Sequence, residues 1–255
     1  MYAPQRQDTI AEDIRENGGM SVTDLAERFG VSTETIRRDL AVLEKDNRVT
    51  RVHGGAVAYR DRATNEDPID DRQSQEADAK TVIAELAAAY LPTSRGSVIV
   101  DSGTTTALLA ERVAQTDNVS VVTNSLLFAH RLSRHGHHDL RVIGGRVRGV
   151  TQAIVGTQAV EDLRGLRADI AFLGANGVTA DFGFSTLDPS EARTKEAMVR
   201  AARSRIVLAD STKLGEDLLC RFASPEDVDL LITDAKAGHP VVQELRAQGL
   251  EVVHP

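Results

Sequence analysis

Residues 21–32 carry two helix starts and one helix stop, which commits the chain to a pair of short helices joined by a sharp turn. Ser21 is an N-cap residue with Asp24 three positions on, the capping-box arrangement. Val22, Leu25, Ala26 and Phe29 then recur at the spacing of one buried helical face. Gly30 supplies the left-handed exit, and Ser32 is placed to cap a second helix. In that helix Ile36, Leu40 and Leu43 point inward. At about 100° per residue, Glu34, Arg38, Ala41 and Lys45 fall on the opposite side, with Thr35 and Arg37 on its flanks. A solvent face with two arginines, and small hydroxyl residues near its N-terminal end, suits base edges and phosphates in a major groove.

Three segments in this order and spacing, Leu25–Ser32 (LAERFGVS), Thr35–Leu40 (TIRRDL) and Arg51–Ala56 (RVHGGA), resemble the N-terminal domain of the DeoR family of bacterial transcription regulators. The resemblance implies a winged helix-turn-helix whose third segment forms a β-hairpin wing. Val49, Arg51 and the Gly54-Gly55 turn permit that reading. Contacts to a double-stranded DNA operator are then expected from Ser32, Thr33, Thr35, Arg37, Arg38, Lys45, Arg51 and His53. The plain alternative is a helical hairpin with solvated arginines, and the agreement of so many local signals argues against it.

Charge alone would point away from nucleic acid. The formal net charge is −8, and residues 1–57 hold eight Lys and Arg against ten Asp and Glu. Only the run Arg37, Arg38, Lys45, Arg48, Arg51 is locally favourable. Binding is therefore expected to rest on a few placed contacts in a dimer or tetramer, with weak non-specific affinity. Cys220 is the only cysteine, which excludes an intrachain disulfide. The first residues carry no apolar signal-like core and no apolar run is long enough to span a bilayer, so a cytoplasmic protein without a membrane partner is expected.

The expected organisation is a DNA-binding domain over residues 1–57, a polar linker over 58–75, and an α/β domain over 76–255. Beyond Pro92, short apolar runs alternate with helical stretches. Strands are expected at 97–101, 119–123, 140–144, 170–174, 205–209 and 228–233, with helices at 75–90, 105–114, 126–133, 190–202 and 241–248. This alternation indicates a mostly parallel sheet, whose ligands bind at the carboxyl ends of strands. Polar clusters gather at those ends: Asp101-Ser102-Gly103-Thr104-Thr105-Thr106, Thr123-Asn124-Ser125, Gly144-Gly145-Arg146, Gly174-Ala175-Asn176-Gly177 and Asp210-Ser211-Thr212-Lys213. Glu191 and Lys195 stand four apart on the helix between. The first cluster pairs a glycine turn with a helix start and four hydroxyls, an anion site that lacks the lysine and spacing of a nucleotide P-loop. Each cluster alone could be a capped turn or a surface ion pair. Together they indicate a pocket for a small, anionic, hydroxyl-rich ligand.

Residues 76–235 also resemble the DeoR family, whose effector domain is similar in fold to ribose-5-phosphate isomerase and glucosamine-6-phosphate deaminase and senses phosphorylated sugars. On that resemblance Ser102, Gly103, Thr104 and Thr105 match the phosphate-gripping loop. Asn124, Gly145, Asn176, Glu191, Lys195 and Lys213 match positions around the sugar, and Asp101, Thr106 and Gly177 complete the candidate set. The expectation is a transcription regulator of carbohydrate-metabolism genes, a repressor whose effector is a phosphorylated sugar, with no cofactor and no metal. The alternative is a sugar-phosphate isomerase or deaminase with a DNA-binding appendage. The isomerases similar to this domain carry an Asp-Gly-Ala-Asp-Glu motif where this chain has Gly174-Ala175-Asn176-Gly177-Val178, which leaves Glu191 as the one candidate base. His135, His137 and His138 read as a solvated loop, and Cys220 as a small packed side chain.

Overall fold

The computed structural model describes residues 2–17, 19–46, 48–52, 54–58, 66–136 and 139–255. The chain forms two compact units, residues 1–65 and 66–255. His53, His137, His138 and residues 59–65 of the expected linker lie outside the described residues.

The first unit runs α1 (Ala3–Asn17), β1 (Gly19–Ser21), α2 (Val22–Phe29), α3 (Thr33–Lys45), β2 (Val49–Val52) and β3 (Gly55–Ala58). The turn chemistry is as the sequence implies. Ser21 Oγ accepts from the Asp24 N–H (3.0 Å) and donates to Asp24 Oδ2 (2.7 Å). Gly30 ends α2 at φ 63°, and Ser32 Oγ accepts from the Thr35 N–H at 3.2 Å. Ile36, Leu40 and Leu43 of α3 pack on Leu25 and Ala26 of α2 and on Ile10 and Ile14 of α1. Full burial of each large aliphatic side chain contributes about 1.5–3 kcal/mol. β2 and β3 pair antiparallel as the wing, and β1 adds to the other side of β3.

Sequence reading gave no role to α1 or to Asp39. Asp39 is buried on α3, where its carboxylate accepts from Arg6 Nε (2.6 Å) and Gln7 Nε2 (2.8 Å), fixing α1 across the recognition helix. Arg28 of α2 reaches Asp13 of α1 in the same way, at 2.5 Å.

The second unit begins with α4 (Ile69–Ser74) and α5 (Ala77–Ala88). There follow β4 (Gly96–Val100), a 3-10 turn (Thr106–Leu109) running into α6 (Ala110–Ala114), β5 (Val119–Thr123), α7 (Leu126–Ser133) and β6 (Leu140–Val142). A hairpin of β7 (Arg146–Arg148) and β8 (Ala153–Val155) precedes α8 (Thr157–Arg164), β9 (Ala168–Gly174), β10 (Gly177–Thr179) and β11 (Gly183–Thr186). The unit ends with α9 (Pro189–Arg200), β12 (Ala202–Leu208), β13 (Cys220–Ala223), β14 (Leu230–Ile232), α10 (Pro240–Ala247) and β15 (Glu251–Val253). Among the described residues one seven-stranded sheet has the order β15-β14-β12-β9-β4-β5-β6, parallel throughout.

Both faces of this sheet are covered, which is why its strands are apolar runs rather than alternations. Val98, Val100, Phe172, Ile206 and Leu208 join residues of α5, α6 and α7 in one core, and Ile99, Ala171, Leu173, Val207 and Leu231 join residues of α8, α9 and α10 in the other. Chain order reverses between β4 and β9: β5 and β6 lie on one side, β12, β14 and β15 on the other. A crevice opens beyond the carboxyl ends of strands at such a reversal.

The expected linker differs from the fold over its second half. Glu66 to Gln75 belong to the second unit, Ile69 is buried, and its N–H donates to the Val150 carbonyl at 2.8 Å. Glu66 of the segment pairs with Arg148 of the same unit at 2.8 Å, and composition cannot separate such a carboxylate from solvated ones.

Replacing Asp39 with alanine strands Arg6 and Gln7 at the α1–α3 contact. Stability of the first unit is expected to fall by about 2–3 kcal/mol. Hydrogen exchange at the amides of α3 in the full chain measures this, and unchanged protection would show that the contact contributes nothing.

Candidate effector site and DNA-binding face

The β4–β9 crevice is built on a buried charge pair. Asp101 follows β4 and is fully buried, and its carboxylate accepts from the Lys195 ammonium of α9 and from the Gly174 N–H at 3.1 Å. Lys195 also donates to the Gly174 carbonyl (2.9 Å) and lies 5.3 Å from the centre of the Phe222 ring. Burial pushes the Asp101 carboxyl up from its ordinary pKa, and Lys195 with the Gly174 N–H pulls it back.

Asp101 launches the loop 102–106, and each hydroxyl there has a distinct job. Thr106 Oγ1 donates to the carbonyls of Asp101 (2.8 Å) and Gly103 (3.1 Å), and the Ser102 N–H donates to Asn124 Oδ1 (2.7 Å). These bonds hold the loop's shape. Among the described residues, no protein acceptor meets the N–H groups of Gly103, Thr104 and Thr105, and no protein partner meets the Thr104 and Thr105 hydroxyls. Thr104 and Thr105 are nonetheless buried. Three amides and two hydroxyls without a protein partner among the described residues thus lie together in one loop that lines the crevice.

Of the candidate effector residues, Ser102, Gly103, Thr104, Thr105, Thr106, Asn176, Glu191, Lys195 and Lys213 line one pocket. Four others do not. Asp101 lies beneath it as the partner of Lys195, and Asn124 lies behind the loop, where its side chain also donates to the Ile154 carbonyl at 3.3 Å. Gly145 and Gly177 are glycine for packing: a Cβ would stand 2.7 Å from the Val155 carbonyl oxygen and 2.3 Å from that of Glu216.

The pocket also gathers residues that sequence reading left out, Arg72, Gln75, Lys80 and Thr151, together with Asp210 of the polar cluster after β12. Arg148 stands behind Glu191, donating to its carboxylate together with Thr151, whose hydroxyl is 2.6 Å away. The same guanidinium pairs with Glu66 (2.8 Å) and Asp188 (3.2 Å). Its neighbour Gly149 and the β7–β8 turn gave no periodic signal that could have pointed to it.

In the first unit the expected contact residues lie on an open face. Thr33, Arg37 and Arg51 line one groove between α2, α3 and the wing. Arg38 and Lys45 are exposed further along α3, and the Ser32 and Thr35 hydroxyls are bonded to each other at 2.9 Å. Carboxylates attend the arginines: Glu34 lies 3.6 Å from Arg37 and 4.0 Å from Arg38, and Glu44 lies 3.8 Å from Arg51. Arg48, counted favourable in the sequence, pairs with Asp8 of α1 at 2.6 Å. Such exposed pairs are weak and open readily to a stronger anion.

Residues 6–62 match the DeoR-like helix-turn-helix domain and residues 75–235 match the DeoR C terminal sensor domain. The chain belongs to the DeoR family. The HTH-type transcriptional regulator GlpR of Haloferax volcanii is 34% identical to it over 99% of this chain and 98% of its own length. The glycerol-3-phosphate regulon repressor of Escherichia coli is 31% identical over 96% of each. Among solved structures, ribose 5-phosphate isomerase A from Methanocaldococcus jannaschii is similar over 55% of each chain, at 18% identity and a TM-score of 0.40.

In this DeoR-family chain, Asp101→Ala leaves the Lys195 ammonium buried without its carboxylate. A loss of about 3–5 kcal/mol is expected, and less in Asp101→Leu with Lys195→Met, where neither charge remains. Urea unfolding of both variants checks the order. A double variant as unstable as the single one would mean that the pair is not what supports the crevice.

Proposed function

We propose that this DNA-binding transcription regulator is a repressor of carbohydrate-metabolism genes whose operator affinity is set by a phosphorylated sugar in the β4–β9 pocket. The observation that carries the reading is the unpaired donor set of Gly103, Thr104 and Thr105. A phosphoryl group supplies acceptors for all five donors, and Lys195 and Lys213 line the same pocket. Asn176 and Glu191 present amide and carboxylate groups suited to sugar hydroxyls. The curated relative named for the glycerol-3-phosphate regulon makes that ester a sensible first ligand.

Binding without turnover is part of the proposal, with Glu191 held as a fixed acceptor for a ligand hydroxyl by Arg148 and Thr151, which donate to its Oε1. On the DNA side, α3 is expected in a major groove, with Arg37 and Arg38 on guanine or phosphate and Arg51 on the backbone beside the wing. An acidic chain needs two such heads to bind tightly, so a homo-oligomer is part of the proposal. No helix among the described residues is long and apolar enough to cross a membrane, and the site of action is the cytoplasm, where operator DNA lies.

A thermal-shift screen of the full chain against phosphorylated sugars, with free sugars alongside, tests the effector. A ligand at a hundredfold excess over its Kd stabilises by about 2.7 kcal/mol. A hit is expected that disappears in Thr104→Val, and no shift with any phosphosugar would refute the pocket. For DNA, Arg38→Ala is expected either to lower the salt slope of operator binding by about 1, as for a lost phosphate contact, or to relax preference at one base pair. Unchanged binding on both measures would remove Arg38 from the interface.

A further inference from the structure

Helix α3 carries a carboxylate where a recognition helix meets its bases. Glu34 is the second residue of the helix, and at about 100° per residue it shares one solvent-exposed stripe with Arg38, Ala41 and Lys45. In a helix-turn-helix the N-terminal residues of the second helix reach base edges in the major groove. The Glu34 carboxylate is only loosely held in the free protein. Its Oε2 stands 3.6 Å from Arg37 and its Oε1 4.0 Å from Arg38, both beyond hydrogen-bond distance. The side chains are 65% exposed for Glu34, 57% for Arg37 and 82% for Arg38, so these pairs open at little cost.

The structural work around Glu34 is done by its neighbours. The helix cap is complete without it: Ser32 Oγ accepts from the Thr35 N–H at 3.2 Å and lies 2.9 Å from the Thr35 hydroxyl. Ile36, Leu40 and Leu43 supply the core contacts of α3, and Asp39 is the carboxylate that ties it to α1. What is left to Glu34 within the fold is a favourable charge near a helix N-terminus, a weak and unspecific effect.

Against DNA the same carboxylate is highly selective, because an ionised carboxylate only accepts hydrogen bonds. Phosphates repel it. In the major groove guanine presents O6 and N7 and thymine presents O4, all acceptors, while adenine presents N7 beside its amino group. Cytosine is the one base whose major-groove edge offers a donor and no acceptor.

We propose that Glu34 is a specificity-determining residue that reads a cytosine of the operator, accepting from its N4 amino group, while Arg38 takes a neighbouring guanine or phosphate. The assignment rests on the DNA-facing reading of α3 and names the base that one of its residues recognises. Four residues of helix advance about 6 Å along the axis, close to two base steps of about 3.4 Å. With α3 along the groove, the positions governed by Glu34 and Arg38 therefore lie about two base pairs apart. On binding, Arg37 and Arg38 exchange Glu34 for DNA, and the carboxylate exchanges them for the amino group. A wrong base leaves the carboxylate desolvated against an acceptor, so Glu34 acts mainly by rejection.

The probe is a pool of randomised DNA duplexes, selected at fixed salt for binding to the full chain as wild type, Glu34→Gln, Glu34→Ala and Arg38→Ala. The wild type is expected to fix C at one position of the selected sequence. Glu34→Gln should move that position alone to A, whose N6 and N7 suit an amide, and Glu34→Ala should leave it undefined. Anisotropy titrations compare the selected duplex with one changed at that base pair. The wild type should discriminate by about tenfold or more, and Glu34→Ala scarcely at all. A merely electrostatic Glu34 would instead give one consensus in the wild type and both Glu34 variants, with the variants binding every duplex more tightly, and that result would overturn the assignment. If Arg38→Ala then alters the consensus, the DNA-facing reading of α3 stands without it. A consensus indifferent to all three substitutions, or none in the wild type, would overturn both.

Discussion

The Asp101–Lys195 pair is the interaction on which the C-terminal unit's site depends. It sits where β4 and β9 part, the one place where chain order in the sheet reverses, and both partners are buried. The carboxylate fixes Lys195 against Gly174, directly beneath the loop whose Gly103, Thr104 and Thr105 amides meet no protein acceptor among the described residues. A buried pair is weak evidence for stability, but removing one partner is costly, and that asymmetry makes it a rigid foundation. Under the proposed function, the donors of Gly103, Thr104 and Thr105 are held ready for the phosphoryl group by this foundation.

Charge is managed similarly on the two units. On the first, Glu34 and Glu44 attend Arg37, Arg38 and Arg51, pairs too exposed to hold against phosphate but sufficient to lower the positive potential of the free face. On the second, Glu66, Asp188 and Glu191 share Arg148, a partly buried hub. Burial and the nearby Glu191 push the Glu66 carboxyl above its ordinary pKa, against the pull of Arg148. The overall acidity therefore coexists with two local faces to which the proposed function assigns anions.

The helix-turn-helix was legible because caps and turns are written in single residues: Ser21, Gly30 and Ser32 act as their types dictate. Strands of the parallel sheet were legible as short apolar runs, since burial on both faces removes polar interruptions. The phosphate-type loop was legible as a residue cluster at a strand end. Other features were not. Helix α1 buries Ile10, Ala11 and Ile14 amid charges, too narrow a stripe to stand out, and Asp39 matters through partners more than thirty positions away. The segment Glu66–Gln75 looked like a linker because nothing in a charged run tells which carboxylate will be buried. Short strands such as β10, β11 and β13 form a small sheet of their own and depend on neighbours in space rather than on local pattern.

In the proposed function effector and operator compete through one protein equilibrium, and linkage makes that competition measurable. If a phosphosugar lowers operator affinity by some factor, saturating operator must lower phosphosugar affinity by the same factor. Titration of the phosphosugar into the full chain, free and operator-bound, is the most direct measurement. Two dissociation constants are expected whose ratio equals the loss of operator affinity caused by the sugar. Identical constants in the two titrations would contradict it, because a ligand that binds both states equally shifts nothing.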